Sequence, residues 1–269
     1  MKELSPLGKK ISHKRSYDPS QLFPIERVGA RTSIGIEIPQ FKGYDIWNSY
    51  EISWLNLKGK PEIALGRFVI PFDSKCIIES KSMKLYLNSF NQTRFKSFET
   101  VEETIKKDLS FASSSEVVVN IIMPENFNSE TIENPKGECI DHLDIELNEY
   151  IITPEYLKTE GIVTNEKLYS NLLRTNCPVT DQPDWATILI EYSGKKIQRQ
   201  SLLKYIVSFR EHSGFHENCV ETIYMDIMKK CNPEKLLVNA RFTRRGGIDI
   251  NPYRSNYDIT LEDRRLVRQ

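Results

Sequence analysis

The strongest constraint on how this chain can fold is a repeat hidden within it. Setting Ser82 against Ser201 gives an offset of 201 − 82 = 119. At that offset Tyr86 meets Tyr205, Ser89 meets Ser208, Phe90 meets Phe209, and Val119-Asn120 meets Val238-Asn239. The apolar pair Val69-Ile70 meets Ile188-Leu189. The hydrophobic patterns agree as well as the letters, so a strand, a helix and a later strand recur at one period and predict a duplicated unit.

Each half reads alike. Residues 64–71 and 185–192 are short β-rich runs. Residues 82–90 and 201–209 begin amphipathic helices, with Ser82 and Ser201 as caps. A second helix follows around 101–105 and 220–223, and then strand-like runs at 116–123 and 235–243. Closely joined strands favour antiparallel pairing with helices on one face, which is an α+β module. Residues 126–136, rich in Asn, Glu and Pro, read as an exposed connection. The junction is expected after it, near Tyr150, dividing the chain into modules 1–150 and 151–269. The charged tail from Asn251 onward reads as an arm or a partly ordered end.

Bulk properties exclude some classes of function. The 269 residues hold 37 Lys+Arg against 37 Asp+Glu, so no global basic field is present to hold a nucleic-acid backbone. Hydrophobic residues make up 39% and charged residues 28%, which suits a soluble globular protein. No apolar run approaches membrane-spanning length, and Met1-Lys2-Glu3-Leu4-Ser5-Pro6 has no signal-peptide core. Five scattered cysteines predict reduced thiols in a cytoplasmic setting rather than a disulfide framework.

Chemistry is distributed unevenly over the two halves. Only the second carries Cys177, in Thr175-Asn176-Cys177-Pro178-Val179-Thr180-Asp181-Gln182-Pro183-Asp184-Trp185; its counterpart at the common offset is Lys58. Two prolines disfavour helix there, so the segment reads as an ordered loop. A loop that fixes a thiol near the Asp184 carboxyl can supply a nucleophile and a proton donor. The plainer reading is a structural cysteine in a Pro-rich turn. His216-Glu217 follow a glycine-led turn at a helix start. A carboxylate there can grip an amidine-like edge such as that of guanine, or simply cap the helix. Arg244-Arg245-Gly246-Gly247 combine two cations with glycines that allow close approach, suiting phosphate, although a surface β-turn reads equally well. Ser80 and Lys81 lie at a helix N-terminus and could hold another phosphate, or form a solvated first turn. If the modules, or two chains, face each other, these corners meet in one cleft. His212, His216 and Cys219 imitate zinc spacing, but Gly214 spoils a helical face and Cys139-x-x-His142 is only a fragment, so no metal is expected. No G-x-G-x-x-G follows a strand, so a nicotinamide cofactor would bind without a Rossmann unit.

Residues 79–92, the Cys177–Trp185 loop, Phe215-His216-Glu217 and residues 244–252 together resemble the two-module form of 7-cyano-7-deazaguanine reductase, the nitrile reductase of queuosine biosynthesis. The resemblance covers most of the chain. Asp181 and Ala186 stand where that family is expected to have smaller or glycine residues. The resemblance implies tandem tunnelling-fold modules, an α+β architecture of antiparallel sheets with paired helices. It implies that Cys177 attacks the nitrile of a 7-deazaguanine as a thiolate to give a thioimide. Asp184 would donate the proton, and two NADPH per turnover would complete reduction to the aminomethyl base. It further implies substrate contacts from Ile78, Glu79, Ser80, His216 and Glu217, and NADPH contacts from Ser80, Lys81, Arg245 and Gly246. A cytoplasmic homodimer acting on a small molecule is expected, with no metal, membrane or direct nucleic-acid partner. Two rivals stand beside it. A related amidotransferase would keep the thiol and Asp184 but need no NADPH corner; Arg244–Gly247 and the balanced charge argue against it. A non-catalytic purine-binding module would need neither group, and the Cys177–Asp184 pair argues against that.

Overall fold

A computed structural model describes residues 16–261 and 263–269. The expectation about a leader at residues 1–6 lies outside the described residues. The chain forms two compact units. Unit 1 comprises Met1–Glu37, Tyr44–Thr131 and Arg244–Ile250; unit 2 comprises Ile38–Gly43, Ile132–Thr243 and Asn251–Gln269.

In unit 1, β1 (Pro24–Glu26) and α1 (Arg27–Ser33) precede the long β2 (Lys42–Leu55) and β3 (Pro61–Pro71). β4 (Cys76–Ile78), α2 (Ser80–Asn88), α3 (Phe98–Ser113) and β5 (Val118–Ile122) complete it. β3 pairs antiparallel with both β2 and β5. Alternate residues of β3 point inward, and Ala64, Phe68 and Ile70 are buried with Trp47, Trp54, Tyr86, Phe90 and Ile105. Burying Phe68 or Ile70 contributes about 1.5–3 kcal/mol by taking the side chain out of water.

Unit 2 repeats this order. Short β6 (Ile132–Glu133) and β7 (Glu138–Cys139) lead into β8 (Thr159–Asn176), β9 (Pro183–Ile197), α4 (Arg199–Val207), α5 (His216–Cys231) and β10 (Lys235–Phe242). β11 (Ile248–Ser255), whose first three residues belong to unit 1, and β12 (Arg265–Leu266) follow. β9 pairs antiparallel with β8 and β10, as β3 does with β2 and β5. Both units are therefore α+β, with antiparallel ladders and a helix pair in the same sequence.

The repeated letters carry repeated interactions. Tyr86 donates to Asp108 at 2.7 Å, and Tyr205 to Asp226 at 2.6 Å. Ser89 and Ser208 donate to the carbonyls of Tyr86 and Tyr205. Ser82 and Ser201 are not the helix caps expected. Each sits one turn in and donates back to the carbonyl of residue 79 or 198. Each also accepts an upstream amide, from Phe23 or Lys158. They tie the preceding chain onto the helix.

The single offset fails at one place. Val119 pairs with Phe68 and Val238 with Ile190, so β3 and β9 correspond at 190 − 68 = 122. Val69-Ile70 and Ile188-Leu189 are thus not equivalent, and Cys177 opens a loop whose counterpart begins at Asn56 rather than at Lys58. The cause is local: unit 1 has three more residues between strand and helix, where it inserts β4, and its β2–β3 loop of residues 56–60 is one residue shorter than residues 177–182. Two further expectations change. Residues 132–150 belong with unit 2, because Glu138–Cys139 pairs with β8, whereas a junction near Tyr150 was expected. The tail is not a loose arm: β11 is buried throughout and Gln269 is 4% exposed. Gln269 Nε2 donates to Asn251 at 2.6 Å and to the Phe242 carbonyl at 3.1 Å.

Candidate active site

β8 ends at Asn176 and β9 begins at Pro183, paired one to the other, so Cys177–Gln182 is the loop of a hairpin. The loop is tightly closed. The Cys177 amide donates to the Gln182 carbonyl at 2.8 Å, and the Asp181 amide donates to the Cys177 carbonyl at 3.0 Å. Asp181 has φ +56°, the left-handed region where Gly is at ease and Asp is tolerated. A glycine, among the smaller or glycine residues expected at positions 181 and 186, would meet the same backbone requirement at 181.

A second segment is clamped to the strand end. The Asn176 amide donates to the His212 carbonyl at 2.7 Å, and the Gly214 amide to the Asn176 carbonyl at 3.2 Å. A Cβ on Gly214 would lie 2.8 Å from His212 Nε2, so a larger residue there would have to push the His212 ring aside. The clamp fixes the start of α5 beside the hairpin. His216 Nε2 comes within 3.3 Å of Asp184 Oδ2, and its ring stacks on Phe242 at 3.7 Å and 13°. Glu217, in the first turn of α5, is 4% exposed, where the helix dipole favours a carboxylate.

Among the described residues, four buried polar atoms here have no hydrogen-bond partner: Thr175 Oγ1, Asn176 Oδ1, His212 Nε2 and His216 Nδ1. Thr175 Oγ1 is on the strand position directly opposite Asp184, and His216 Nδ1 is on the ring that meets Asp184, so these two lie beside that carboxyl. Burial lowers the His212 pKa below its ordinary value, keeping that ring neutral near pH 7. Burial also raises the thiols of Cys76, Cys219 and Cys231, the last to about 11. Those three are inert interior thiols, whereas Cys177 is only half-buried in its loop. Among the described residues no three His, Cys, Asp or Glu side chains converge to hold a metal ion, and no helix is long and apolar enough to cross a membrane.

Unit 1 holds the other expected residues. Ile78 ends β4, paired with Pro24. Glu79 caps α2: its carboxylate accepts from the amides of Lys81 at 2.9 Å and Ser82 at 2.7 Å. The helix N-terminus expected to meet phosphate is thus already occupied by its own acid, leaving the exposed Ser80 and half-buried Lys81 side chains. Arg245 and Ile248 exchange hydrogen bonds across Gly246 and Gly247, whose φ values of +58° and +78° make a two-residue turn only glycines fit easily. A Cβ on Gly246 would meet nothing within 4 Å, so this face of the turn is open. A Cβ on Gly247 would strike the Glu51 carboxyl, which also pairs with Lys84 of α2. Glu51 thereby links the glycine turn to α2. Arg244–Ile250 fold with unit 1, not with the C-terminal module to which the sequence reading gave them.

Cys177, Asp184, His216 and Glu217 are therefore brought together within unit 2, and Ile78–Lys81 and Arg245–Gly246 within unit 1. Sequence reasoning gave no site role to Thr175, Asn176, Phe242 or Glu51, and weighed His212 only as an apparent metal ligand that it set aside. Thr175 and Asn176 open the segment already singled out; Phe242 and Glu51 have no sequence signal beyond lying on strands.

Comparison with known proteins follows the same two regions. Residues 13–121 match a family profile described as nitrile reductase, 7-cyano-7-deazaguanine-reductase N-term, and residues 183–260 match one described as QueF-like protein. A relative from Desulfotalea psychrophila is 56% identical over 268 residues, covering 98% of this chain and 97% of its own. One from Chromobacterium violaceum is 50% identical over 272 residues, covering 99% of this chain and 97% of its own. Both are named NADPH-dependent 7-cyano-7-deazaguanine reductase. A solved apo structure of the archaeosine synthase QueF-Like overlaps 38% of this chain and 99% of its own, at TM-score 0.32 and 14% identity.

Proposed function

Because the chain belongs to the family of NADPH-dependent 7-cyano-7-deazaguanine reductases, we propose that it reduces the nitrile of 7-cyano-7-deazaguanine to the aminomethyl base, a step of tRNA queuosine biosynthesis. The observation that carries the chemistry is the hairpin site. What supports it is a half-buried thiol at the hairpin loop, a buried Asp184 carboxyl within 3.3 Å of His216, and the buried Glu217 carboxylate in the first turn of the helix that His216 opens.

In this reading Cys177 Sγ attacks the nitrile carbon, and the nitrile nitrogen takes the proton that Asp184 holds, giving a covalent thioimide. His216, against Asp184 and pressed on Phe242, keeps that carboxyl oriented. Glu217 accepts from the amidine-like edge of the base. Once the thioimide has been reduced, its C–S bond breaks and Cys177 leaves as a thiolate, and burial of the site keeps water from the hydrolysable imine that remains. NADPH supplies the reducing equivalents, two hydrides per nitrile. Residues that would hold it are Ser80, Lys81, Arg245 and Gly246, and the open glycine turn with its exposed arginine fits a phosphate. Ile78, Glu79 and Ser80 complete the proposed substrate contacts, with Glu79 also serving as the α2 cap. The same reading makes the protein a cytoplasmic homodimer that acts on the free base, needs no metal and touches no nucleic acid directly.

The test is to mix protein, 7-cyano-7-deazaguanine and NADPH and to follow the nicotinamide absorbance. Two NADPH consumed per base, lost in Cys177→Ala, is the expected result. No consumption by a folded wild-type protein overturns the proposal.

A further inference from the structure

The opposite face of the same hairpin carries a feature that the nitrile chemistry does not use. Side chains alternate along β9, so Trp185 points away from the face of Asp184. Arg174 is its partner across the ladder. The guanidinium carbon of Arg174 lies 6.0 Å from the Trp185 ring centre, that of Arg210 5.5 Å, and that of Arg268 6.0 Å. Arg210 also reaches the Tyr150 ring at 6.0 Å. Three segments distant in sequence thus place three cations on one indole.

No carboxylate pairs with any of the three among the described residues. Elsewhere in the chain Arg27, Arg67, Arg199, Arg241 and Arg254 each hold one. Cation–π attraction of about 0.5–1 kcal/mol per exposed contact does not by itself explain gathering three like charges around one ring. The guanidiniums are also held in place. Arg174 Nη1 donates to the Arg210 carbonyl at 2.7 Å, and Arg268 Nη1 to the Asn171 carbonyl at 2.7 Å. Each keeps further N–H donors for a ligand.

We propose that Arg174, Arg210 and Arg268, arranged on Trp185, form an anion site for a phosphorylated small molecule. Guanidinium forks match phosphoryl oxygens in pairs, and a di- or trianion balances three cations where a single carboxylate does not. A polymeric nucleic acid is disfavoured by the overall balance of 37 basic and 37 acidic residues.

Trp185 provides the readout. Trp47 and Trp54 are 1% and 2% exposed in the unit 1 core, so a ligand-dependent change in indole emission reports Trp185. Inorganic pyrophosphate, titrated into the full chain in phosphate-free buffer, should change the emission saturably below about 1 mM. The signal should vanish in Trp185→Phe. The exposed Arg268→Gln should weaken the half-saturation point at least fivefold, and Arg245→Gln should leave it unchanged. Calorimetry of the same titrations checks the affinity independently of the fluorophore. Displacement of pyrophosphate by NADPH, with NADPH affinity falling in Arg268→Gln, assigns the site to the dinucleotide. Displacement by adenosine diphosphate with NADPH affinity unchanged assigns it to a free nucleotide. Absence of saturation, an unchanged curve in Arg268→Gln, or citrate binding as tightly as pyrophosphate overturns the proposal. The titration needs no turnover, so its failure and that of the reductase reading are separate results.

Discussion

Thr175 and Asp184 stand directly opposite each other across the β8–β9 ladder, and the fully buried Thr175 hydroxyl has no hydrogen-bond partner. Side chains opposed in this way lie about 4.5–5.5 Å apart at Cβ. The hydroxyl is thus held ready beside the proposed proton donor. Thr175→Val keeps the shape and removes the orphan, so the free protein should gain up to about 1 kcal/mol of stability. Turnover should drop about tenfold, with Thr175→Ser restoring it. Full activity in Thr175→Val would make the hydroxyl irrelevant to catalysis.

Covalent capture should precede reduction. Without NADPH, intact-protein mass spectrometry should show an adduct of the mass of 7-cyano-7-deazaguanine. Cys177→Ala should abolish it, whereas Cys139→Ala and Cys231→Ala should not. Cys231 makes the contrast sharp: with its pKa raised to about 11, about one thiol in ten thousand is ionised at pH 7. An adduct that survives in Cys177→Ala sinks the nucleophile assignment.

Asp184→Asn should still bind substrate and yet lose turnover by about two to four orders of magnitude, the usual effect of removing a general acid. Binding by calorimetry and turnover by absorbance separate the two effects. Wild-type turnover in the variant would reduce Asp184 to a partner for His216.

Glu217 and Arg245 lie in different units and are assigned different ligands. Glu217→Ala should weaken binding of the neutral base and spare NADPH, and Arg245→Ala should do the reverse. NADPH affinity should also fall more steeply with ionic strength, because exposed ion pairs are screened. Titrations of both ligands against both variants, at low and high salt, decide this. Equal loss of both ligands in both folded variants contradicts the assignment.

His212 should make the fold acid-sensitive. Burial lowers its pKa in the folded protein below the unfolded value of about 6.5. The unfolded state then binds the proton more readily, so this residue's contribution is present above about pH 6.5 and is lost as pH falls through the folded value. Chemical denaturation across that range should show the loss, and His212→Gln should flatten it. An identical pH profile in the variant removes His212 as the cause.

Much of this was legible in the letters. Tyr86 and Tyr205, with Ser82 and Ser201, betrayed the duplication because each makes the same bond in both units. The hairpin loop was legible because prolines bracket it. What could not be read were distances along the chain that loops absorb. One offset served the helices and the last strand, but β3 and β9 slipped by three residues, since a loop can change length without changing the hydrophobic pattern. Glu79 illustrates a different limit. Its carboxylate is adjacent to a helix start in sequence, yet only coordinates reveal that it satisfies its own helix. The arginines around Trp185 come from three separate segments, and no spacing rule joins them.

Arg244–Ile250 complete unit 1, although they lie beyond most of unit 2 in the chain. Synthesis runs in one direction, so the first half must wait, with part of its core uncovered, until the second has been made. Ile248 and Ile250 are in that core. A nascent first half is therefore the stage of this protein's life most exposed to misassembly, and separate expression of residues 16–131 should yield an insoluble product that a peptide spanning 244–250 does not need catalysis to mend, only timely arrival.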